Sequence, residues 1–315
     1  MKLLRFFSFL VLISCVIDVY AFSDGGDNKN QRRTLKRIVI DPGHGGNPVG
    51  IRGANYGASS KYGDEKDIAL AVAFKLQKTI EQQLPEVEVI LTRTTDVFES
   101  VTTKAEKANA AKGDLFISLH CDGVDKKYSE IVGYTRHTVK RHGKKITKKV
   151  PVYKTYTVPD SEPKGASTLI WNIDRNQQKE GAIAGEVIDS SDDIDIVKYI
   201  NDPIRKMEIT LRTRQYFDYS NLFAHTIQDE FVKGGRVSRG VWQRQEGIWV
   251  LAAVNMPAVL IEMGYLSNDE EAQYLTSEKG QQETADEITE AIKRYKFSLD
   301  NKINNKDTST SSSGK

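Results

Sequence analysis

Cysteine is nearly absent: Cys15 and Cys121 are the two in 315 residues. If Cys15 leaves with an N-terminal leader, no internal disulfide can form, and stability must come from a conventional packed core. Net charge is nearly absent too. Lys and Arg total 45 against 43 Asp and Glu, a formal +2, which argues against a nucleic-acid partner. The apolar run Phe6 to Val19 is short for a bilayer and carries Asp18, which counts against an uncleaved anchor. The Gly-rich turn Asp41 to Gly46 lacks both the dinucleotide and the P-loop spacings, so a phosphate cradle is not its expected use.

What is present begins with the leader. Met1, Lys2 and Arg5 give a positive start, the apolar run follows, and Val19-Tyr20-Ala21 ends on a small residue. This pattern predicts a signal peptide over residues 1–21 and export to the periplasm or cell envelope. An alternative is the run Leu12-Ile13-Ser14-Cys15, the pattern that precedes a lipid-modified cysteine, which would anchor the protein through Cys15. The residues just after Cys15 remain apolar where a lipoprotein tether is polar, and cleavage after Ala21 is the preferred reading. Residues 22–34 read as a linker, and 298–315 as a disordered tail.

Between these ends, strand and helix alternate. Arg37–Ile40, Val87–Leu91, Leu115–Leu119 and Ala258–Ile261 are short runs rich in branched apolar residues. Lys66–Leu84, Thr102–Ala111 and about Gln281–Tyr295 carry helical apolar stripes. Such alternation predicts an α/β layered domain over 35–297 with a mostly parallel or mixed sheet flanked by helices. Residues 124–236 break the rhythm and read as a long insertion. Within it, Tyr134–Val158 suggests a two-stranded ribbon around His142-Gly143, Thr168–Trp171 a further core strand, and Ser220–Phe231 a helix.

The chemistry collects at strand ends. One strand leads into Asp41-Pro42-Gly43-His44-Gly45-Gly46, another into His120, and a third into Glu262; Glu65 lies just before a helix. Ligands of open α/β sheets sit at the carboxyl ends of strands, so these residues are expected on one rim. Two imidazoles and one carboxylate with a free fourth position suit a hydrolytic zinc ion. A further carboxylate is then needed to take the proton of the attacking water. Cys121 neighbours His120 in extended chain, so its side chain should point away. His137, His142 and His225 stand without a partner motif and are not expected to bind metal.

Asp41-Pro42-Gly43-His44-Gly45-Gly46, Glu65-Lys66-Asp67, Leu91-Thr92-Arg93-Thr94-Thr95-Asp96, Ser118-Leu119-His120 and Pro257 to Asn268 resemble the zinc-dependent N-acetylmuramoyl-L-alanine amidases of type 3. The resemblance runs from about Arg37 to Tyr295 in matching order. It implies a phosphorylase/hydrolase-like α/β fold and one zinc ion per chain on His44, Glu65 and His120, with Glu262 as catalytic base. It also implies hydrolysis of the amide between muramic acid and L-alanine of peptidoglycan, in cell-wall remodelling or daughter-cell separation.

Cys121-Asp122-Gly123 departs from the Ala-Asn-Ala common after the second histidine of the family, and the basic ribbon lies outside its usual pattern. The part of the insertion after Thr168 resembles a segment that, in cell-separation amidases, folds over the zinc. By that similarity Glu186 is an autoinhibitory residue, and a protein activator would displace the segment. The expected partners are peptidoglycan and such an activator, with the chain itself a monomer. No separate wall-binding repeat is evident in the sequence.

Overall fold

A computed structural model describes residues 34–47, 57–141, 144–173, 176–189, 202–244 and 248–311. The described residues belong to one compact unit, Arg33–Lys315. Strand β1 (Arg37–Pro42) leads to helix α1 (Glu65–Gln83), strand β2 (Glu88–Leu91), helix α2 (Val101–Ala110) and strand β3 (Leu115–Asp122). Both faces of β1 and β3 are buried, as the unbroken apolar runs require of strands inside a parallel sheet. β1 pairs in parallel with β2 on one side and β3 on the other, so chain direction across the sheet reverses at β1. Such a switch point opens a crevice beyond the carboxyl ends of the two strands that flank it.

Strands β4 (Asp125–Arg141) and β5 (Lys144–Pro159) form a separate antiparallel ribbon. The chain then returns through β6 (Ala166–Trp171), α3 (Asn176–Asp189), α4 (Pro203–Lys233), β7 (Ser238–Arg244), α5 (Trp249–Ala253), β8 (Ala258–Tyr265), α6 (Asp269–Thr276) and α7 (Glu278–Ser311). The six-stranded sheet has the order β2-β1-β3-β8-β6-β7. β8 runs parallel to β3, while β6 is antiparallel to β8 and parallel to β7. The expectation of a mixed, mostly parallel sheet flanked by helices is met.

Apolar clusters cover the two faces. One joins Ile38, Ile40, Ile117 and Ile261 to the stripes of α1, α4 and α7, including Leu76, Phe223 and Ile292. The other joins Val39, Phe116 and Leu260 to Ala105 and Ala108 of α2, Ile183 of α3 and Leu251 of α5.

Two expectations are corrected. Residues 124–236 are not one insertion: β6 is a sheet strand, and α4 packs Phe223, Ala224, Ile227 and Phe231 into the core. Among the described residues of this stretch, the ribbon is what stands outside the six-stranded sheet and its helices. The terminal helix does not stop at Tyr295 with a disordered tail from 298, but runs to Ser311. From Gln281 onward there is no Pro or Gly before Gly314 to end it, and polar residues tolerate helix. Residues 1–33, which carry the expected leader and most of the linker, lie outside the described residues, as do 190–201 and 312–315.

Candidate metal centre

His44 lies just past β1, at a left-handed φ of 54° that a side chain seldom adopts. Arg93 braces the turn around it. This guanidinium, 3% exposed, donates to the carbonyls of Pro42, Gly43, Lys66 and Thr95 at 2.8–3.1 Å. It thereby ties the β1 turn to the first turn of α1, where Glu65 stands. Asp41 anchors the same turn from below. Thr92 Oγ1 and Ser118 Oγ donate to its carboxylate at 2.6 and 2.8 Å, and Lys104 Nζ lies 2.8 Å away. Burial opposes the charge on Asp41, but the Lys104 ammonium and the Thr92 hydroxyl outweigh it and hold the pKa below its ordinary value.

The three expected ligands converge. Glu65 Oε1 lies 2.7 Å from His120 Nδ1 and 3.1 Å from His44 Nε2, and the two rings meet edge to face at 4.9 Å. One ligand atom from each of the three lies within 4.8 Å of the other two. Among the described residues this is the one such cluster of three or more His, Cys, Asp or Glu. Ala58 N donates to Glu65 Oε2 at 2.6 Å and Cys121 N donates to Oε1 at 3.0 Å. Burial would raise the Glu65 pKa, yet the hydrogen bonds and charges of the two histidines drive it far below the carboxylate range. The carboxyl is therefore ionised and acceptor-only, the form a cation requires. Gly43 lets the rings close: a Cβ there would sit 2.5 Å from His120 Cε1.

Glu262 stands beside this cluster without joining it. β8 pairs with β3 so that Glu262 lies opposite His120, which puts the two side chains on one face of neighbouring strands. Its Oε2 is buried with no hydrogen-bond partner. Burial pushes its pKa up to about 7, against the pull of His120. A buried carboxyl atom left unpaired is costly and points to a missing occupant.

Cys121 is buried in the apolar cluster below, as its position next to His120 predicted, and burial pushes its thiol pKa well up. Asp67 is exposed in the first turn of α1, while Asp64 holds the cap position. His225 is exposed on α4, away from the cluster. The side chains of His137 and Glu186 and the whole of His142 fall outside the described residues. Sequence reasoning assigned no role to Arg93, Asp41 or Lys104. A signal was available for Lys104, which shares an otherwise apolar helical stripe with Ala108. A hollow of about 640 Å³ lined by Leu35, Glu86, Glu88 and Asp114 lies at the opposite edge of the sheet and brings no ligand set together.

Residues 38–294 match the family described as N-acetylmuramoyl-L-alanine amidase. The chain belongs to this family. The chain is similar to the N-acetylmuramoyl-L-alanine amidase AmiC of Escherichia coli O6:H1, 27% identical over 259 residues that cover 82% of this chain and 52% of the relative. It spans about half the length of the curated amidase relatives it matches. Among solved structures it resembles the amidase Ami1 of Mycobacterium smegmatis, with TM-score 0.54 and 16% identity over 84% of this chain and all of that one. It also resembles the CwlD amidase of Clostridioides difficile, solved in complex with the GerS lipoprotein, with TM-score 0.51 and 23% identity over 82% and 98%. At these identities the structures show the shared fold.

Membership of this amidase family implies a zinc ion, and the donor set fits one. Two imidazole nitrogens and an ionised carboxylate come together, the kind of donor set that would hold a hydrolytic zinc ion. Glu262, opposite His120 in the strand register, keeps its Oε2 buried and unpaired.

Proposed function

We propose that this chain is a peptidoglycan amidase, hydrolysing the amide between N-acetylmuramic acid and the L-alanine of the stem peptide. His44, Glu65 and His120 would hold one zinc ion, and Glu262 would serve as general base. When bound, zinc lowers the pKa of water to about 7 and polarises the scissile carbonyl. Glu262 has the properties of the partner base. It is 8% exposed and lies in register with His120, and burial favours its protonated form, as a base that must hold a proton and return it to the leaving nitrogen needs. Arg93 and the Asp41–Lys104 pair position the ligands and touch no reacting atom.

The observation that carries the reading is the buried, unpartnered Glu262 Oε2 set against the His-Glu-His cluster. Digestion of purified peptidoglycan, followed by mass spectrometry, tests it. Free lactyl carboxylates with new L-alanine amino termini are expected. Shortened stems still attached to sugar would make the chain a peptidase instead.

The same reading places the protein outside the cytoplasm, exported through residues 1–21 or tethered at Cys15, and acting in wall remodelling or daughter-cell separation. Among the described residues no helix is long and apolar enough to cross a membrane. Control by a protein partner is part of the proposal, in keeping with the CwlD neighbour solved with a lipoprotein. Glu186 falls within α3, whose Lys179 and Ile183 are wholly buried, so deleting the helix would open the core. The point variant Glu186→Gln is the cleaner test of autoinhibition, and unchanged basal hydrolysis would remove that idea.

A further inference from the structure

The β4–β5 ribbon takes no part in the site above, yet it rises from the same rim. β3 carries His120 and runs on into β4 through Val124, and β5 leads back to β6, where Ser167 pairs with Glu262. Its root is tied down: Asp160 N donates to Val124 O at 2.7 Å, Val124 N to Ser267 Oγ at 3.3 Å, and Asn268 Nδ2 to Ser161 O at 2.6 Å. Above the root the two strands pair from Asp125↔Pro159 to Arg141↔Lys144.

The charge pattern of this ribbon is one-sided. Between Glu130 and Asp160 there is no acidic residue, while eight positions are Lys or Arg, so the rest of the chain is net acidic. The register pairs basic residues with basic residues: Arg136↔Lys149, Lys140↔Lys145 and Arg141↔Lys144. Directly opposed like charges destabilise a strand pair, so a sequence shaped only for ribbon stability would not place them there. A bound anion would relieve them. From Lys145 to Lys154 the cations of β5 extend over about 30 Å, a track suited to a linear polymer rather than a compact ligand.

Both faces carry the charge. Arg136, Lys145 and Lys149 share one face with exposed Tyr134, Tyr153 and Ile131, and Lys148 and Lys154 lie on the other with Val150 and Val152. A lipid surface is planar and meets one face of a ribbon. A polymer mesh can surround both, and exposed tyrosine rings offer flat amphipathic surfaces to sugar rings.

We propose that the ribbon is a docking arm for the peptidoglycan polymer, gripping the carboxylates of its stem peptides beside the catalytic rim. This rests on the amidase reading for its choice of polymer. The test is co-sedimentation of the full chain with insoluble peptidoglycan stripped of covalently attached anionic polymers, with a chelator present so that no hydrolysis is required. The triple variant Lys145→Glu, Lys148→Glu, Lys149→Glu should bind about 10-fold more weakly at low ionic strength, and parent binding should fade toward 1 M salt, where the Debye length is about 3 Å. Because two of these changes set opposite charges across the ribbon, folding is expected to persist, and a thermal melt checks it. Peptidoglycan with amidated carboxylates should also lose the parent chain. Undiminished binding of the triple variant or to amidated polymer, or tighter binding to anionic lipid vesicles than to peptidoglycan, would overturn the proposal. Absence of hydrolysis in the digestion experiment would instead remove the amidase reading and leave this binding result standing.

Discussion

The rim that carries His44, Glu65 and His120 and the ribbon that rises beside it treat polar groups in opposite ways. At the rim a buried guanidinium serves four carbonyls, and a buried aspartate meets a lysine and two hydroxyls. In the ribbon, basic residues pair with basic residues, and the described pair Arg136 and Lys149 is exposed. Dense mutual pairing fixes geometry before a substrate arrives, which is what positioned chemistry needs. Unrelieved charge of one sign does the reverse, since its partner must come from outside. Within the rim, the unpaired Oε2 of Glu262 marks the same logic on the scale of one atom.

The largest effect expected is on turnover. Glu262→Gln should lower it by about 10²–10⁴-fold, the usual contribution of a general base, while zinc content measured by metal analysis stays near one per chain. Loss of zinc in that variant would mean that Glu262 is a ligand and that the roles of the two glutamates need reassignment. His120→Ala should lose both zinc and activity.

Next comes the frame. Lys104 is 4% exposed and bonds Pro42 O at 2.8 Å as well as pairing with Asp41. Lys104→Met takes away the nearest cation of the buried Asp41 carboxylate, a loss of about 3 kcal/mol in denaturant unfolding. A loss under 1 kcal/mol would mean that water reaches Asp41 and that the rim is less closed than the burial indicates. Gly43→Ala should act more locally, pushing the His120 ring aside and weakening zinc binding with the fold retained.

A smaller effect separates the base from the frame through pH. The Glu262 carboxyl has an ordinary pKa of 4.5 and is pushed up to about 7 by burial in the metal-free fold. Between those values the folded state holds a proton that the unfolded state has released, so stability falls as pH rises through this window. Above pH 7 the full cost is present. Metal-free Glu262→Gln should therefore be more stable than its parent by roughly 3 kcal/mol at pH 8 and close to it at pH 4. Equal melting at pH 8 would show that the carboxyl is hydrated.

The two regions also differed in how readable they were. The strand runs and the His44, His120 and Glu262 positions at strand ends were legible because a parallel sheet buries both faces and gathers its functional residues at one edge. Glu65 was expected on the same rim, and the resemblance made it a ligand; what the sequence did not show is the Arg93 brace that ties the first turn of α1 to the β1 turn. The 124–236 stretch misled because its parts alternate between body and excursion: β6 enters the sheet as an antiparallel strand that no βαβ rhythm announces. The ribbon was visible from its alternation of branched, aromatic and basic residues, but its opposed cations emerge only from register, which needs the turn and the bulge between Ile131 and Gly133.

The smallest effect tests the ribbon on its own terms. Lys149→Glu sets an acid opposite Arg136, and Lys154→Glu sets one opposite Glu130, the one pair of opposite charge among the described ribbon pairs. Cross-strand charge pairs contribute about 0.2–1 kcal/mol, so the first change should raise amide hydrogen-exchange protection along β4 and β5 and the second should lower it. Both shifts should shrink together in high salt, because exposed charges are screened. If the two variants moved protection in the same direction, register would not govern the ribbon's charges, and the contrast with the paired rim would lose its basis.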